Sequence, residues 1–215
     1  MNLFDVFTDG NGRDARDIRI NGVVVGIVTN NQDPDAMGRV KVKFPWLSDE
    51  DESNWARVAT PMAGKERGLY LLPEVEDEVL VAFENGDMRF PYVLGALWNG
   101  KDAPPAKNDD GKNNVRLLKS RSGHVIRLTD EDGKEKIEII DKSEKNSIVI
   151  DTASNTITIT ADKDIVLAAS NGKIKFDAQN IEFKTSADIK YTSGAGMEIK
   201  ASGQMKIQGA TVEIN

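Results

Sequence analysis

From Ile137 onward the chain alternates apolar and polar residues in short, recurring bursts. Ten bursts follow one another: Ile137 and Ile139, Ile148 and Ile150, Ile157 and Ile159, Ile165 and Leu167, Ile174 and Phe176, Ile181 and Phe183, Ile189 and Tyr191, Met197 and Ile199, Met205 and Ile207, Val212 and Ile214. Their first members lie 11, 9, 8, 9, 7, 8, 8, 8 and 7 residues apart. Alternation inside a burst predicts a strand with one buried face. A near-constant interval of about eight residues predicts a stacked β architecture rather than a sandwich. Each unit offers two inward side chains, which contribute roughly 1.5–3 kcal/mol apiece when fully covered. Ordering its eight backbones costs about 1–2 kcal/mol per residue. One chain cannot close that balance alone. Solenoids wound by a single chain use about 20 or more residues per coil, whereas eight residues cover one side. Three identical chains around one axis, each forming one side of a triangular prism, resolve the shortage. Residues 115–215 are therefore predicted to form a homotrimeric, intertwined, triple-stranded β-helix. Its trimer core is expected at the inward positions of the first nine bursts, from Ile137 to Ile207.

The residue at the centre of each burst should face solvent. In the last six bursts it is Lys175, Glu182, Lys190, Glu198, Lys206 and Glu213, so the sign alternates without a break. Opposite charges on neighbouring strands are favourable and like charges unfavourable. This order either selects one register or is a coincidence on a solvated surface.

Residues 21–100 show a different pattern, with short strands separated by turn residues. Val23–Val28, Gly38–Phe44, Trp55–Ala59, Glu78–Phe83 and Pro91–Leu97 read as five strands. Glu78–Phe83 leads through Asn85-Gly86, a strong turn signal, into Pro91–Leu97 as a hairpin. Five strands of this kind predict a small Greek-key barrel of OB type, with Trp46, Trp55 and Trp98 completing its core and rim. Residues 101–114, rich in Pro, Gly, Asn and Asp, form a predicted linker. Residues 1–20 read as an N-terminal arm, whose apolar cluster (Leu3, Phe4, Val6, Phe7) offers a docking point for another protein if it is ordered.

Charge narrows the function. The 215 residues carry a formal charge of −7, and residues 115–215 balance 15 basic against 15 acidic side chains. The acidic excess thus sits in the first half, against a nucleic-acid footprint. The absence of cysteine removes disulfides and thiol chemistry, and no apolar run has the length of a membrane-spanning helix. The lone histidine, His124, lacks a companion nucleophile and orienting group, and is expected to be hydrogen-bonded at a strand start. Asp130-Glu131-Asp132-Gly133 lacks calcium-loop spacing and is expected to be a hairpin turn. No catalytic residue, metal ligand or cofactor site is predicted, and the chain is expected not to be an enzyme.

Several of these stretches carry a family resemblance. Val25-Gly26-Ile27-Val28, Asp33-Pro34, Gly38-Arg39-Val40-Lys41-Val42 and Leu72–Asp87 resemble the OB domain of phage baseplate assembly protein V and the VgrG spike of type VI secretion. Pro91–Gly100 and Ser120–Asp130 are similar as well. The resemblance implies a cell-puncturing spike of a contractile injection machine, with the OB domain as a collar on a trimeric needle whose C-terminal end leads. It further implies a separate hub protein, because only about 20 residues precede the barrel. A PAAR-type tip protein is expected over Val212, Glu213, Ile214 and Asn215, because the iron-binding His-x-His apex of some short spikes is absent. Assembly in the bacterial cytoplasm, incorporation into a tail or injection-particle baseplate and transient contact with a target envelope follow from the same resemblance. A trimeric tail fibre binding carbohydrate is the alternative, and it would require exposed aromatics and convergent carboxylates.

Overall fold

The computed structural model describes residues 19–48 and 51–213. These form strands and turns, with a 3-10 turn at Glu84–Gly86 and no α-helix among them. The chain divides into two compact units, one ending at Asp162 and the other starting at Lys163.

Seven strands make up the first part of unit one: β1 Val23–Asn30, β2 Lys41–Lys43, β3 Arg57–Val58, β4 Ala63–Gly64, β5 Arg67–Gly68, β6 Glu78–Phe83 and β7 Pro91–Ala96. Five of them form one sheet in the order β2-β1-β6-β7-β3, antiparallel except for the parallel β3–β7 pair. A short seam brings the two edges together. Val40 donates its N–H to Ala56 O at 3.0 Å, and Ala56 returns the bond to Val40 O at 2.7 Å. This order and closure are those of a five-stranded OB barrel. The inward positions follow the period of two. Val79 and Val81 on β6, Val28 on β1, Val42 on β2 and Val93 on β7 are fully buried, with Val40 and Phe44 flanking β2. Phe44 is the centre of this core, and its ring lies 5.5 Å from that of Phe83. Gly26 makes room for it, because a Cβ there would stand 3.3 Å from the Phe44 ring and from Lys43 O.

Three local features differ in detail from the expectation. The hairpin expected through Asn85-Gly86 is present, since β6 pairs antiparallel with β7, but its loop is longer than two residues. Phe83 pairs with Pro91, so the connection runs from Glu84 to Phe90, and both Asn85 and Gly86 have positive φ. The three tryptophans are not core residues. Trp46 and Trp98 are 52% and 69% exposed, and Trp55 is half-buried beneath the cations of Arg39 and Lys41. Valines fill a barrel this narrow, and an indole would overpack it. The β4–β5 hairpin has no counterpart among the predicted strands, because Ala63-Gly64 and Arg67-Gly68 carry no hydrophobic alternation. The arm expected at 1–20 lies outside the described residues except for Arg19, which bridges Asp87, and Ile20, whose N–H donates to Gly86 O at 2.9 Å.

Beyond the connection, unit one continues with β8 Val115–Lys119, β9 Val125–Thr129, β10 Lys136–Ile140, β11 Ser147–Asp151 and β12 Thr156–Thr160. They form an antiparallel meander in chain order. The sequence predicts ten equivalent repeats, but the first three bursts fold back on each other: Ile137 faces Ile150, Ile139 faces Ile148, and Ile148 and Ile150 face Ile159 and Ile157. Each reversal contains a residue with positive φ, namely Gly123, Gly133, Glu144 and Asn155. After Asn155 no described residue has one. Without left-handed residues the chain stops reversing into tight hairpins.

Residues 163–213, taken by themselves, contain no strand pairing among the described residues. Hydrogen bonds within this segment are local, such as Gly172 N–H to Ala169 O at 3.3 Å and Ser193 Oγ to Gly196 O at 2.8 Å.

Candidate functional site: an uncovered apolar sheet face and unpaired repeats

Register places two sets of side chains on opposite faces of the meander. One face gathers Leu118, Ile126, Leu128, Ile137, Ile139, Ile148, Ile150, Ile157 and Ile159. All nine are substantially exposed, from 39% at Ile150 to 70% at Ile157. The other face is polar at its centre. Arg127, Glu138, Val149 and Thr158 stand opposite one another in register. Glu138 is buried there, accepting from Arg127 Nε at 2.7 Å and pairing with Lys136 Nζ at 3.1 Å. The Arg127 hydrogen bond outweighs burial and holds the Glu138 carboxyl below the usual glutamate range. The sheet is therefore charged and satisfied on one side and bare on the other. Nine exposed aliphatic side chains in one patch exceed what a lone soluble sheet presents, and such a patch marks a surface that another surface covers.

Unit two extends the same chemistry, and here the single chain departs from the burial that the sequence predicts. The first members of its first six repeats, Ile165, Ile174, Ile181, Ile189, Met197 and Met205, are exposed rather than enclosed. The second members, Leu167, Phe176, Phe183, Tyr191, Ile199 and Ile207, are more open still, from 61% at Leu167 and Phe176 to 73% at Ile199. The reason is physical. An eight-residue unit is too short to enclose two apolar side chains by itself, and the described residues of 163–213 contain no strand pairing. The backbones of these repeats thus have no strand partner among the described residues either. A peptide group shielded from water without a hydrogen bond is costly. Burying Leu167, Phe176, Phe183, Tyr191 and Ile199 thus requires a structure in which other strands supply the bonds. Of the residues predicted to meet a tip protein, Val212 and Glu213 are exposed, while Ile214 and Asn215 lie outside the described residues.

The polar candidates serve structure. His124 opens β9 as expected. Its Nδ1 accepts from Lys142 N–H at 3.2 Å, and its own N–H donates to Ser120 Oγ at 3.0 Å. Asp130–Gly133 forms the β9–β10 turn, with Lys134 N–H donating to Glu131 O at 2.8 Å. Among the described residues no group of three or more His, Cys, Asp or Glu side chains is placed to hold a metal ion, and no helix is long and apolar enough to cross a membrane.

On the barrel, the most tightly held loop is Asn31–Gly38. The Asp33 carboxylate accepts the backbone N–H groups of Asp35, Met37 and Arg39, and takes both Nε and Nη2 of Arg39 at 2.9 and 2.7 Å. The Arg39 guanidinium, more than the backbone donors, holds that carboxyl far below the usual aspartate range. A second exposed apolar surface lies beside this loop. Met37, Met62, Leu69, Tyr70 and Leu71 line a groove of about 640 Å³. Sequence reasoning missed it. The available signal was the run Leu69-Tyr70-Leu71-Leu72, four large apolar residues in succession, which no two-faced strand accommodates.

Comparison with known proteins falls on these same segments. Residues 24–98 match the family described as the type VI secretion system/phage-baseplate injector OB domain. The chain is 30% identical to the type VI secretion system spike protein VgrG1a of Pseudomonas aeruginosa over 146 residues, 63% of this chain and 23% of that protein. It is 33% identical to VgrG1b of the same organism over 135 residues, 58% and 18% of the two chains. It is 39% identical to the spike protein VgrG3 of Vibrio cholerae over 87 residues, 39% of this chain and 9% of that one. The chain thus spans less than a quarter of the length of these relatives.

Proposed function

From a VgrG-like chain whose residues 24–98 are an injector OB domain, we propose that the protein is the structural central spike of a contractile injection machine. Three copies join along the repeats, the OB barrels form a collar, and residues 115–215 form the needle. One observation supports this reading: residues 163–213 present paired apolar side chains while their backbones have no strand partner among the described residues. Three-fold winding meets both needs at once. Each strand receives hydrogen bonds from neighbouring copies, and the apolar pairs turn toward the shared axis. In that arrangement Leu167, Phe176, Phe183, Tyr191 and Ile199, open to water in the single chain, become core. The bare face of the meander is continuous in chemistry with that axis, and three such faces would enclose a prism.

The needle's task is mechanical. A chain held by strands of two others leaves only by unthreading, so resistance to load becomes a matter of unfolding rate. At the base the collar meets a hub protein of the baseplate. At the far end a PAAR-type tip protein covers Val212, Glu213, Ile214 and Asn215. The protein acts without catalysis or a cofactor, is put together in the bacterial cytoplasm and touches the target envelope during puncture. The tail-fibre alternative finds no support in convergent carboxylates among the described residues.

Light scattering on the purified chain should give three times the 23.6 kDa of one copy. Electron micrographs should show a thin spike with a wider collar. A 23.6 kDa particle at micromolar concentration would overturn the proposal.

A further inference from the structure

The six charged residues at the centres of the last bursts, Lys175, Glu182, Lys190, Glu198, Lys206 and Glu213, alternate in sign. Within the described residues, none of them forms an ion pair with another repeat of the same chain. Lys175 reaches only Asp177, two residues on, at 2.7 Å, which puts both side chains on the same outer face. The alternation therefore has no use inside one chain.

We propose that these charges form an intermolecular column that fixes the axial register of the three copies, each repeat n lying beside repeat n+1 of a neighbouring copy. The inference rests on the trimeric reading above and adds the register to it. A three-fold axis places equal repeats at equal heights on three different sides. The strand stacked above repeat n on any one side must then carry a different number. When each chain advances one side per repeat, that strand is repeat n+1 of the adjacent copy. Neighbouring strands lie about 4.8 Å apart, so Lys175 stands beside a neighbour's Glu182, that residue beside Lys190 of the third copy, and so on to Glu213. Every contact in the column joins opposite signs. Any even offset would set Lys against Lys and Glu against Glu along the whole needle, which is unfavourable. The adjoining outer positions Asp177 and Lys184 repeat the complementarity in the same offset. The apolar pairs cannot make this choice, because Ile174, Ile181 and Ile189 are alike. The charges distinguish one step of an otherwise repetitive axis.

The test is a pair of double-mutant cycles on the full-length chain, reading the dissociation rate of the trimer in denaturant at 20 mM salt. E182K and K190E each create two like-charged contacts, and each should accelerate dissociation at least about fivefold. In the double variant E182K/K190E the two changed residues attract again, leaving two like-charged contacts as in either single variant. Its rate should match a single variant rather than the product of both. The control E182K/K206E changes residues that do not touch and should show the product. At 1 M salt, where the screening length is about 3 Å, these differences should shrink. Equal behaviour of the two pairs, or single variants indistinguishable from the unmodified chain, would overturn the register assignment while leaving the trimer intact. A monomeric unmodified chain would instead remove the trimer itself.

Discussion

Asp33 and Asp87 connect single residues to the behaviour of the barrel with pH. Both are held ionised by an arginine, Asp33 by Arg39 and Asp87 by Arg89, which takes Asp87 down to about 2. In the unfolded chain an aspartate titrates near 3.9. Their stabilising contribution is therefore complete above about pH 4 and disappears as the pH falls through the folded values. Thermal melts should be flat between pH 5 and 7 and fall between about pH 4 and 2. The Asp33→Asn variant should start from a lower Tm and lose less across that window. An equal acid slope in the variant would show that Asp33 is not a source of the dependence. Phe44 makes a simpler demand. It is fully buried, so Phe44→Ala should cost about 3–5 kcal/mol, measured by denaturant unfolding. The Asp33–Arg39 loop was visible in the sequence as a turn and as part of the resemblance, but its five hydrogen bonds depend on loop geometry that no hydrophobic period encodes. The tryptophans were misplaced for a related reason. Size and apolarity argue for a core, but the diameter of the barrel decides what fits.

At the scale of elements, period-two alternation located the five sheet strands of the barrel. Val79, Val81 and Phe83 alternate with outward residues along β6 as the pattern required. The same alternation located β10, β11 and β12, and the Asp130–Gly133 turn was expected to reverse the chain into β10, but the reversals into β11 and β12 were not foreseen. Whether consecutive strands reverse or continue is decided in the turns, by Gly133, Glu144 and Asn155 with positive φ. A Glu in that conformation is unusual, and nothing in its sequence context announces it. The β4–β5 hairpin was illegible because two-residue strands carry no period at all. The bare face of the meander yields its own prediction. Ile139 and Ile148 stand opposite each other at its middle, both exposed. A double variant, Ile139→Asp with Ile148→Asp, would set two carboxylates into the surface that the proposed trimer would bury, where unpaired charge is strongly disfavoured. Light scattering should then shift from three copies toward one, while the near-ultraviolet signal of the barrel tryptophans stays unchanged. A trimer that tolerates both aspartates would place this face outside the interface.

For the whole molecule, the difference between the barrel and the repeats lies in where each finds its partners. The barrel core of Val28, Val40, Val42, Phe44, Val79, Val81 and Val93 is closed within one chain, so its folding is independent of protein concentration. Residues 163–213 have no such core, so in the proposed trimer their order would be linked to assembly by mass action. The two regions should therefore come apart in guanidinium as separate events. Fluorescence from Trp46, Trp55 and Trp98 should report a reversible transition at lower denaturant, in the range of an ordinary small domain. Far-ultraviolet dichroism should retain a strand signal into higher denaturant, and that second loss should be slow, because interwound strands are released together. On dilution, the tryptophan signal should return at a rate independent of concentration. The remaining strand signal should return faster as the chain concentration rises. Coincident loss and recovery of both signals would mean that barrel and repeats fold as one cooperative unit. It would also mean that the repeats draw their stability from the same chain, which the three-copy spike does not permit.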